Sequence, residues 1–296
     1  MSTAPTPALI PERVATRKMT LDVIIALVPA LIASNVIFGL RALLVTATCV
    51  SVAVLSEYIF QKGMKKPVTI CDLSAVVTGL LLSFCLPVGI PLWIAGLGSV
   101  IAIIVVKQFF GGIGYNFANP AITARVILLI SFGIEMTTFT AVDGVSHATP
   151  LSGGNPGIQA MLLGMRSGAL DETCAVALLI GGIYLLIRKV ITWHIPVAYI
   201  GTVAIVAALT GQDITLQLLG GGLILGAFFM ATDCNTSPLA TSGKLVYGVG
   251  CGLLTMMIRL LGASPEGVSY AILLMNILTP HIDKIPPFKK KEVKAS

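Results

Sequence analysis

The sequence has few charged residues: they make up 11% of the 296-residue chain, whereas hydrophobic residues make up 56%. Soluble domains carry roughly 25% charged residues. A chain this apolar would expose large hydrophobic patches in water, which argues against a soluble globular fold. We therefore expect an integral membrane protein whose apolar surface faces lipid.

The sequence also lacks the strict alternation of apolar and polar residues that a membrane β-barrel requires. Its apolar stretches are instead continuous and close to the roughly 20 residues with which a helix crosses a bilayer. Backbone groups in lipid must bond to each other, which favours helices. We predict an all-α polytopic fold with about ten transmembrane helices, in segments 20–39, 41–60, 71–87, 91–109, 118–134, 173–191, 194–210, 214–232, 244–261 and 266–282.

No cysteine pair has the spacing of a metal site. We expect the cysteines to behave as small hydrophobic residues, as free cysteine usually does. A metal cluster shared with another protein of an assembly stays open, because one chain cannot reveal it. The six cysteines are Cys49, Cys71, Cys85, Cys174, Cys234 and Cys251.

The net charge of +6 does not indicate a nucleic-acid partner, because the basic residues are sorted by predicted loop. Cytoplasmic loops of membrane proteins carry an excess of lysine and arginine. Ten spans with both termini in the cytoplasm place Arg41, Arg166 and Arg259 outside. The same arrangement places inside Arg13, Arg17, Lys18, Lys62, Lys65, Lys66, Lys107, Arg188, Lys189, Lys244, Lys284, Lys289, Lys290, Lys291 and Lys294.

A weak internal repeat divides the chain into two halves. The third segment opens with Asp72-Leu73-Ser74 and the eighth with Asp213-Ile214-Thr215. Because five spans is an odd number, the second half would be inverted, and inverted repeats often hold a site between them. Two unrelated helix caps are the alternative. The predicted parts are a cytoplasmic segment 1–18, repeats 19–134 and 173–283, an outer loop 135–172 and a basic cytoplasmic tail 284–296.

The outer loop contains the pattern D-x-x-S-x-A-T, formed by Asp143, Ser146, Ala148 and Thr149. The pattern resembles the site at which a flavin transferase joins the phosphate of FMN to a threonine hydroxyl. The usual pattern has glycine where this chain has His147. An ordinary polar loop is the alternative, since such residues are common in loops.

Two further blocks combine polar residues with glycines at the ends of apolar segments. Block 107–121 contains Gly112, Asn116 and Asn119, but its flanks are predicted spans, so its glycines do not form a dinucleotide loop. Block 229–238 contains Thr232, Asp233 and Thr236, which we expect to line a cavity or a cofactor. A simple polar helix end is the alternative for the second block.

The three blocks, together with Pro265–Tyr270 and Asn276, resemble the D subunit of the Rnf complex, an ion-translocating ferredoxin:NAD oxidoreductase of prokaryotic membranes. The B subunit of the sodium-translocating NADH:quinone oxidoreductase is a related family. The resemblance extends over essentially the whole chain.

The resemblance implies covalent FMN at Thr149, added by a flavin transferase, and in some members a noncovalent riboflavin. Gly112, Asn116, Asn119, Thr232, Asp233 and Thr236 are then further candidates for cofactor contacts. It also implies inverted five-helix repeats like those of urea and ammonium transporters, partner subunits of the complex, and a multi-pass location in the cytoplasmic membrane. Whether sodium ions or protons are pumped stays open. The rival hypothesis is a small-solute transporter or channel of the same fold without flavin.

Five ionisable residues fall within or beside the predicted spans, where such groups are candidates for function. Glu57 is interpreted as interfacial because Lys62 is near. Arg125 is predicted to pair with Asp72 or Asp233, either as a structural link between the halves or as a site that senses flavin charge. The five are Glu57, Asp72, Arg125, Asp233 and Arg259.

Overall fold

A computed structural model describes residues 9–140, 146–147, 175–262 and 267–284, and these are mostly helical. The first part contains α1 (Leu9–Phe38), α2 (Leu40–Gly63), α3 (Ser74–Phe84), α4 (Leu92–Val100), α5 (Pro120–Ser131) and α6 (Gly133–Thr137). The second contains α7 (Ala175–Ile187), α8 (His194–Leu209), α9 (Ile214–Leu219), α10 (Leu223–Leu225), α11 (Thr241–Leu261) and α12 (Gly267–Ile282).

Among the residues that the structure describes, three helices are long and apolar enough to cross a membrane: Thr16–Phe38, Leu40–Gly63 and Thr241–Leu261. The other apolar helices have 10–17 residues, so the ten-span arrangement stays a prediction. Gly39 joins the first two of these helices with a φ of 65°, a left-handed conformation that glycine adopts without strain.

Helices are irregular at two places in the bundle. α4 continues as a π-helical stretch over Ile101–Gln108, and α10 continues as another over Gly226–Met230. The sequence favoured interruptions in the third, fifth and tenth segments, and α3 and α5 are indeed short, with 11 and 12 residues. The clearest break lies in the eighth segment, where Gly221 and Gly222 have positive φ between α9 and α10.

Helices pack within each half in a similar order. α2 packs against α3 and α4, and α8 packs against α9 and α11, while α1–α7 and α5–α12 contacts join the halves. Glycines allow the close approaches: a Cβ on Gly79 would lie 2.8 Å from the Cα of Val50, and one on Gly248 would lie 2.7 Å from the Cβ of Ala198. Small residues at such crossings are typical of helix packing in membranes.

A short antiparallel hairpin follows α6. Its strands are β1 (Phe139–Thr140) and β2 (Ser146–His147), with Thr140 opposite Ser146. Phe139 is buried, so the hairpin begins against the helical bundle.

Candidate functional site

The polar blocks 107–121 and 229–238 meet at one cavity of about 210 Å³. The cavity lies against residues 16–23 of α1, where α3 and α5 begin and where the α4 and α10 stretches end; we call this the cavity end of the bundle. Its aromatic lining comes from Phe228 and Phe229. The polar lining residues include Thr20, Ser74, Lys107, Asn116, Asn119, Thr232, Asp233 and Asn235.

Asn119 holds the two blocks together. Its side-chain oxygen caps α5, accepting hydrogen bonds from the backbone amides of Ala121 at 3.0 Å and Ile122 at 3.3 Å. Its side-chain amide donates to the carbonyl of Met230 at 3.5 Å. Pro120 follows at the first helical position, where its missing N–H costs nothing. Asn119 is thus both a helix cap and a link between the two halves.

Asn116 presents an unused hydrogen-bond acceptor: its Oδ1 is buried and has no partner. Buried polar atoms almost always have partners, so an exception in a cavity wall indicates a missing water or ligand. In block 229–238, the hydroxyl of Thr232 donates to the backbone carbonyl of Phe228 at 2.6 Å. The carboxylate of Asp233 accepts from the backbone amide of Asn235 at 3.2 Å.

Four of the predicted cofactor contacts therefore line one cavity: Asn116, Asn119, Thr232 and Asp233. Gly112 and Thr236 do not line it. Gly112 shapes the preceding turn with a φ of 100°, and the carbonyl of Thr236 accepts a hydrogen bond from Thr279 at 3.0 Å.

An ion pair that the sequence did not reveal lies beside the cavity, with Lys107 in the cavity wall. The ammonium of Lys107 lies 2.8 Å from Oε1 and 3.1 Å from Oε2 of Glu57, and it donates to the hydroxyl of Ser74 at 2.5 Å. Ser74 donates in turn to Asp72 at 2.6 Å. Gln108 also donates to Glu57, at 2.7 Å.

One assignment from the sequence is corrected here. Lys107 was counted with the basic residues of the inner loops, although segment 91–109 contains it, and it is 2% exposed inside the π-helical stretch. Glu57 is 0% exposed within the protein, and its predicted interfacial depth stays a prediction. The available signal was the position of Lys107, which follows Ile101–Val106 without a break and precedes Phe109.

The predicted pairing of Arg125 with Asp72 or Asp233 is wrong. Arg125 is buried in α5, but within the described ranges neither aspartate forms an ion pair with it. The carboxylate of Asp72 is instead occupied by the amide and hydroxyl of Ser74, at 2.9 and 2.6 Å.

A second ion pair links the two halves near the cavity. Arg188, after α7, contacts Asp22 of α1 at 3.2 Å, and the hydroxyl of Tyr184 donates to the same carboxylate at 3.1 Å. Asp22 was not identified from the sequence, because a single aspartate near the start of an apolar run resembles an interfacial residue.

The structure describes one residue of the D-x-x-S-x-A-T pattern. Ser146 lies in β2, whereas Asp143, Ala148 and Thr149 are outside the described residues. α5 rises about 18 Å over its length, at 1.5 Å per residue, between the cavity at Asn119 and the segment that leads to β1. Ser146 therefore follows the end of α5 that is distant from the cavity in sequence, and the predicted role of the pattern stays a prediction.

The cysteines follow the expectation in part. Cys49, Cys85 and Cys251 are buried, whereas Cys71 and Cys234 are exposed. Cys174 lies outside the described residues. Within the described part of the chain, no group of three or more histidine, cysteine, aspartate or glutamate side chains could hold a metal ion.

Comparison with known proteins identifies the family. The profile of the NQR2, RnfD, RnfE family matches residues 3–291. The chain belongs to this family. The D subunit of the Na⁺-translocating ferredoxin:NAD⁺ oxidoreductase complex of Acetobacterium woodii is 47% identical, over 93% of this chain and 92% of its own length.

Two other relatives match over a similar share of the chain, at lower identity. The D subunit of the proton-translocating ferredoxin:NAD⁺ oxidoreductase complex of Clostridium ljungdahlii is 43% identical, over 90% of this chain and 89% of its own length. The D subunit of the ion-translocating oxidoreductase complex of Marinobacter nauticus is 36% identical, over 92% of this chain and 90% of its own length.

Proposed function

We propose that the chain is the D subunit of a membrane-bound, ion-translocating ferredoxin:NAD⁺ oxidoreductase complex and that it carries electrons on flavins. The observation that carries this proposal is the 47% identity to a named D subunit over 93% of the chain. The protein would act with the other subunits of the complex, because the named relatives are themselves subunits of such complexes.

Thr149 is the proposed attachment point for FMN. The pattern of Asp143, Ser146, Ala148 and Thr149 supports it, and so does the position of Ser146 in a hairpin beyond α5. Forming the phosphoester would need a reachable hydroxyl, a flavin transferase and a flavin dinucleotide as donor. The threonine oxygen would bond to the FMN phosphorus while the pyrophosphate bond of the dinucleotide breaks and AMP leaves, so no deep nucleotide pocket is required. Attachment would take place on the outer side of the membrane.

The cavity at the other end of α5 is the proposed site of a second, noncovalent flavin such as riboflavin. The residues fit a flavin ring: the unpartnered Oδ1 of Asn116 can accept from a ring N–H, and Phe228 and Phe229 supply apolar walls. Asn119, Thr232 and Asp233 are further polar residues of the lining. A bound flavin accepts one or two electrons, while the protein fixes its position and electrostatics.

The proposed arrangement is two inverted five-helix repeats in a prokaryotic cytoplasmic membrane, with both termini inside. The corresponding contacts α2–α4 and α8–α11 support the repeat, as do α2–α3 and α8–α9. The lysine distribution supports the orientation, because cytoplasmic loops carry an excess of lysine and arginine. In this orientation the cavity end would lie on the cytoplasmic side. Tests of the orientation are reporters fused after Ser296 and inserted near Gly154, which should give cytoplasmic and outer signals respectively.

The rival function is a small-solute transporter or channel of the same fold. An electron-transfer subunit would carry covalent flavin, and the transporter or channel would not. We would express the chain together with a flavin transferase and inspect it on a denaturing gel under ultraviolet light. The wild type should give a fluorescent band, and mass spectrometry should find FMN on the peptide that contains Thr149.

Thr149→Val should lose the band, because valine keeps the shape and removes the hydroxyl. Thr149→Ser should retain part of the band, and Ser146→Ala should weaken it. Thr138→Val is the matched control, an exposed threonine before the hairpin whose loss should leave the band unchanged. An unmodified wild-type peptide would reject the flavin assignment and favour the channel.

A further inference from the structure

The ammonium of Lys107 is held by two side chains. It donates hydrogen bonds to Oε2 of Glu57 at 3.1 Å and to the hydroxyl of Ser74 at 2.5 Å, and it lies 2.8 Å from Oε1 of Glu57. The carboxylate of Glu57 is fixed in turn by Gln61 at 3.2 Å and Gln108 at 2.7 Å. The charge of Lys107 therefore stays in place rather than moving with a flexible side chain.

The pair is asymmetric with respect to the cavity. Lys107 and Ser74 line the cavity wall, whereas Glu57 is fully buried behind Lys107 and does not reach it. A group in the cavity thus faces the positive member first and the negative member second. Because charges interact more strongly away from bulk water, neither member is fully screened.

We propose that the Glu57–Lys107 pair sets the reduction potential of the flavin in this cavity, with Lys107 raising the potential and Glu57 lowering it. This inference rests on the proposed occupancy of the cavity by a flavin. Lys107 and Glu57 act here as positioning residues, through their charges and not through bonds to the ring.

The sign of each effect follows from the charge balance of reduction. A neutral oxidised flavin ring that gains two electrons from its donor and one proton from water carries one negative charge. A nearby positive charge stabilises that product, and a nearby negative charge destabilises it. Removal of Lys107 should therefore make the flavin harder to reduce, and removal of the Glu57 charge should make it easier to reduce.

The test uses the full-length chain with Thr149→Val, so that a noncovalent flavin is the one followed. Flavin released by denaturation is quantified first, and the reduction potential is then measured by a spectroscopic redox titration. Lys107→Met should lower the equilibrium ratio of reduced to oxidised flavin at least tenfold, a shift of about 30 mV for a two-electron couple. Glu57→Gln should raise the ratio by a smaller factor, because Glu57 lies farther from the cavity, and the double variant should lie between the two.

The controls separate this inference from the proposed function. Lys62→Met removes an exposed lysine on the same helix as Glu57 and should change the ratio less than twofold. Glu57→Gln keeps the shape of its site, so it carries the test even where Lys107→Met fails to fold. Flavin present but unshifted, or shifted the same way by both variants, overturns the inference alone. A parent chain that releases no flavin overturns the second-flavin proposal, and the inference with it.

Discussion

In each half of the molecule, a basic residue near the end of one helix contacts a terminus of another helix. Lys107 ends the α4 stretch and contacts Glu57 and Ser74. Arg259 lies in the last turn of α11 and donates to the carbonyls of Gln217 at 2.7 Å and Gly220 at 2.9 Å, at the break between α9 and α10.

The partners of these two cations differ in kind. Lys107 is balanced by a full negative charge, in a buried pair that is stable only while both members are present. Arg259 satisfies carbonyl oxygens that the short helix α9 leaves without amide partners, and the partial negative charge at a helix C-terminus favours a cation there. Among the described residues, a carboxylate therefore lies against Lys107, whereas backbone carbonyls and the side-chain oxygen of Gln217 lie against Arg259.

The largest effect is expected from breaking the charge pair in the first half. Lys107→Met should destabilise the protein by about 3–5 kcal/mol, because it leaves Glu57 buried without its cation. The double change Glu57→Gln with Lys107→Met should be less destabilised than Lys107→Met alone. Thermal stability in detergent, followed by fluorescence-detected size-exclusion chromatography, measures both. Additive losses in the double variant would show that the two charges do not depend on each other.

A smaller loss is expected from Arg259→Met in the second half. The change leaves acceptors of α9 without their donor, at a cost of about 1–3 kcal/mol for an unsatisfied buried group. Arg259→Lys should recover only part of the loss, because one ammonium cannot span the carbonyls that a planar guanidinium reaches. The same assay applies, with Lys62→Met as the control. Full recovery by lysine would mean that charge alone matters at this position.

The sequence predicted the class of fold well, because composition and long apolar runs depend on the solvent rather than on tertiary detail. It also predicted that block 229–238 lines a cavity or a cofactor, and it gave residues of block 107–121 as candidates for cofactor contacts. Polar residues at the ends of apolar segments must face something other than lipid, and Asn116, Asn119, Thr232 and Asp233 do line one cavity.

The pairing of charges could not be predicted in the same way. Glu57 and Lys107 are 50 residues apart in sequence, and their contact depends on how α2 packs against the α4 stretch. The distribution of lysines grouped Lys107 with the basic residues of the inner loops. The apolar residues before it favoured a position inside a helix instead. Arg125 and Asp72 were matched by charge alone, but Ser74, two residues from Asp72, offered that carboxylate a closer partner.

The smallest effect is expected at the ion pair that joins the two halves. Comparing this pair with the Glu57–Lys107 pair shows how burial changes the strength of an ion pair. Asp22 and Arg188 lie 3.2 Å apart, but the side chain of Arg188 is 44% exposed, whereas that of Lys107 is 2% exposed. Exposed pairs contribute roughly 0–1 kcal/mol and weaken with salt. Asp22→Asn keeps an oxygen that can accept from Tyr184, so we expect a loss below about 1 kcal/mol that shrinks further at high salt.

The loss caused by Lys107→Met should respond little to salt, since that pair is shielded from water. Stability measured for both variants at low and high salt tests this contrast. An equal loss for the two variants, with equal salt dependence, would mean that burial does not set the strength of ion pairs in this protein.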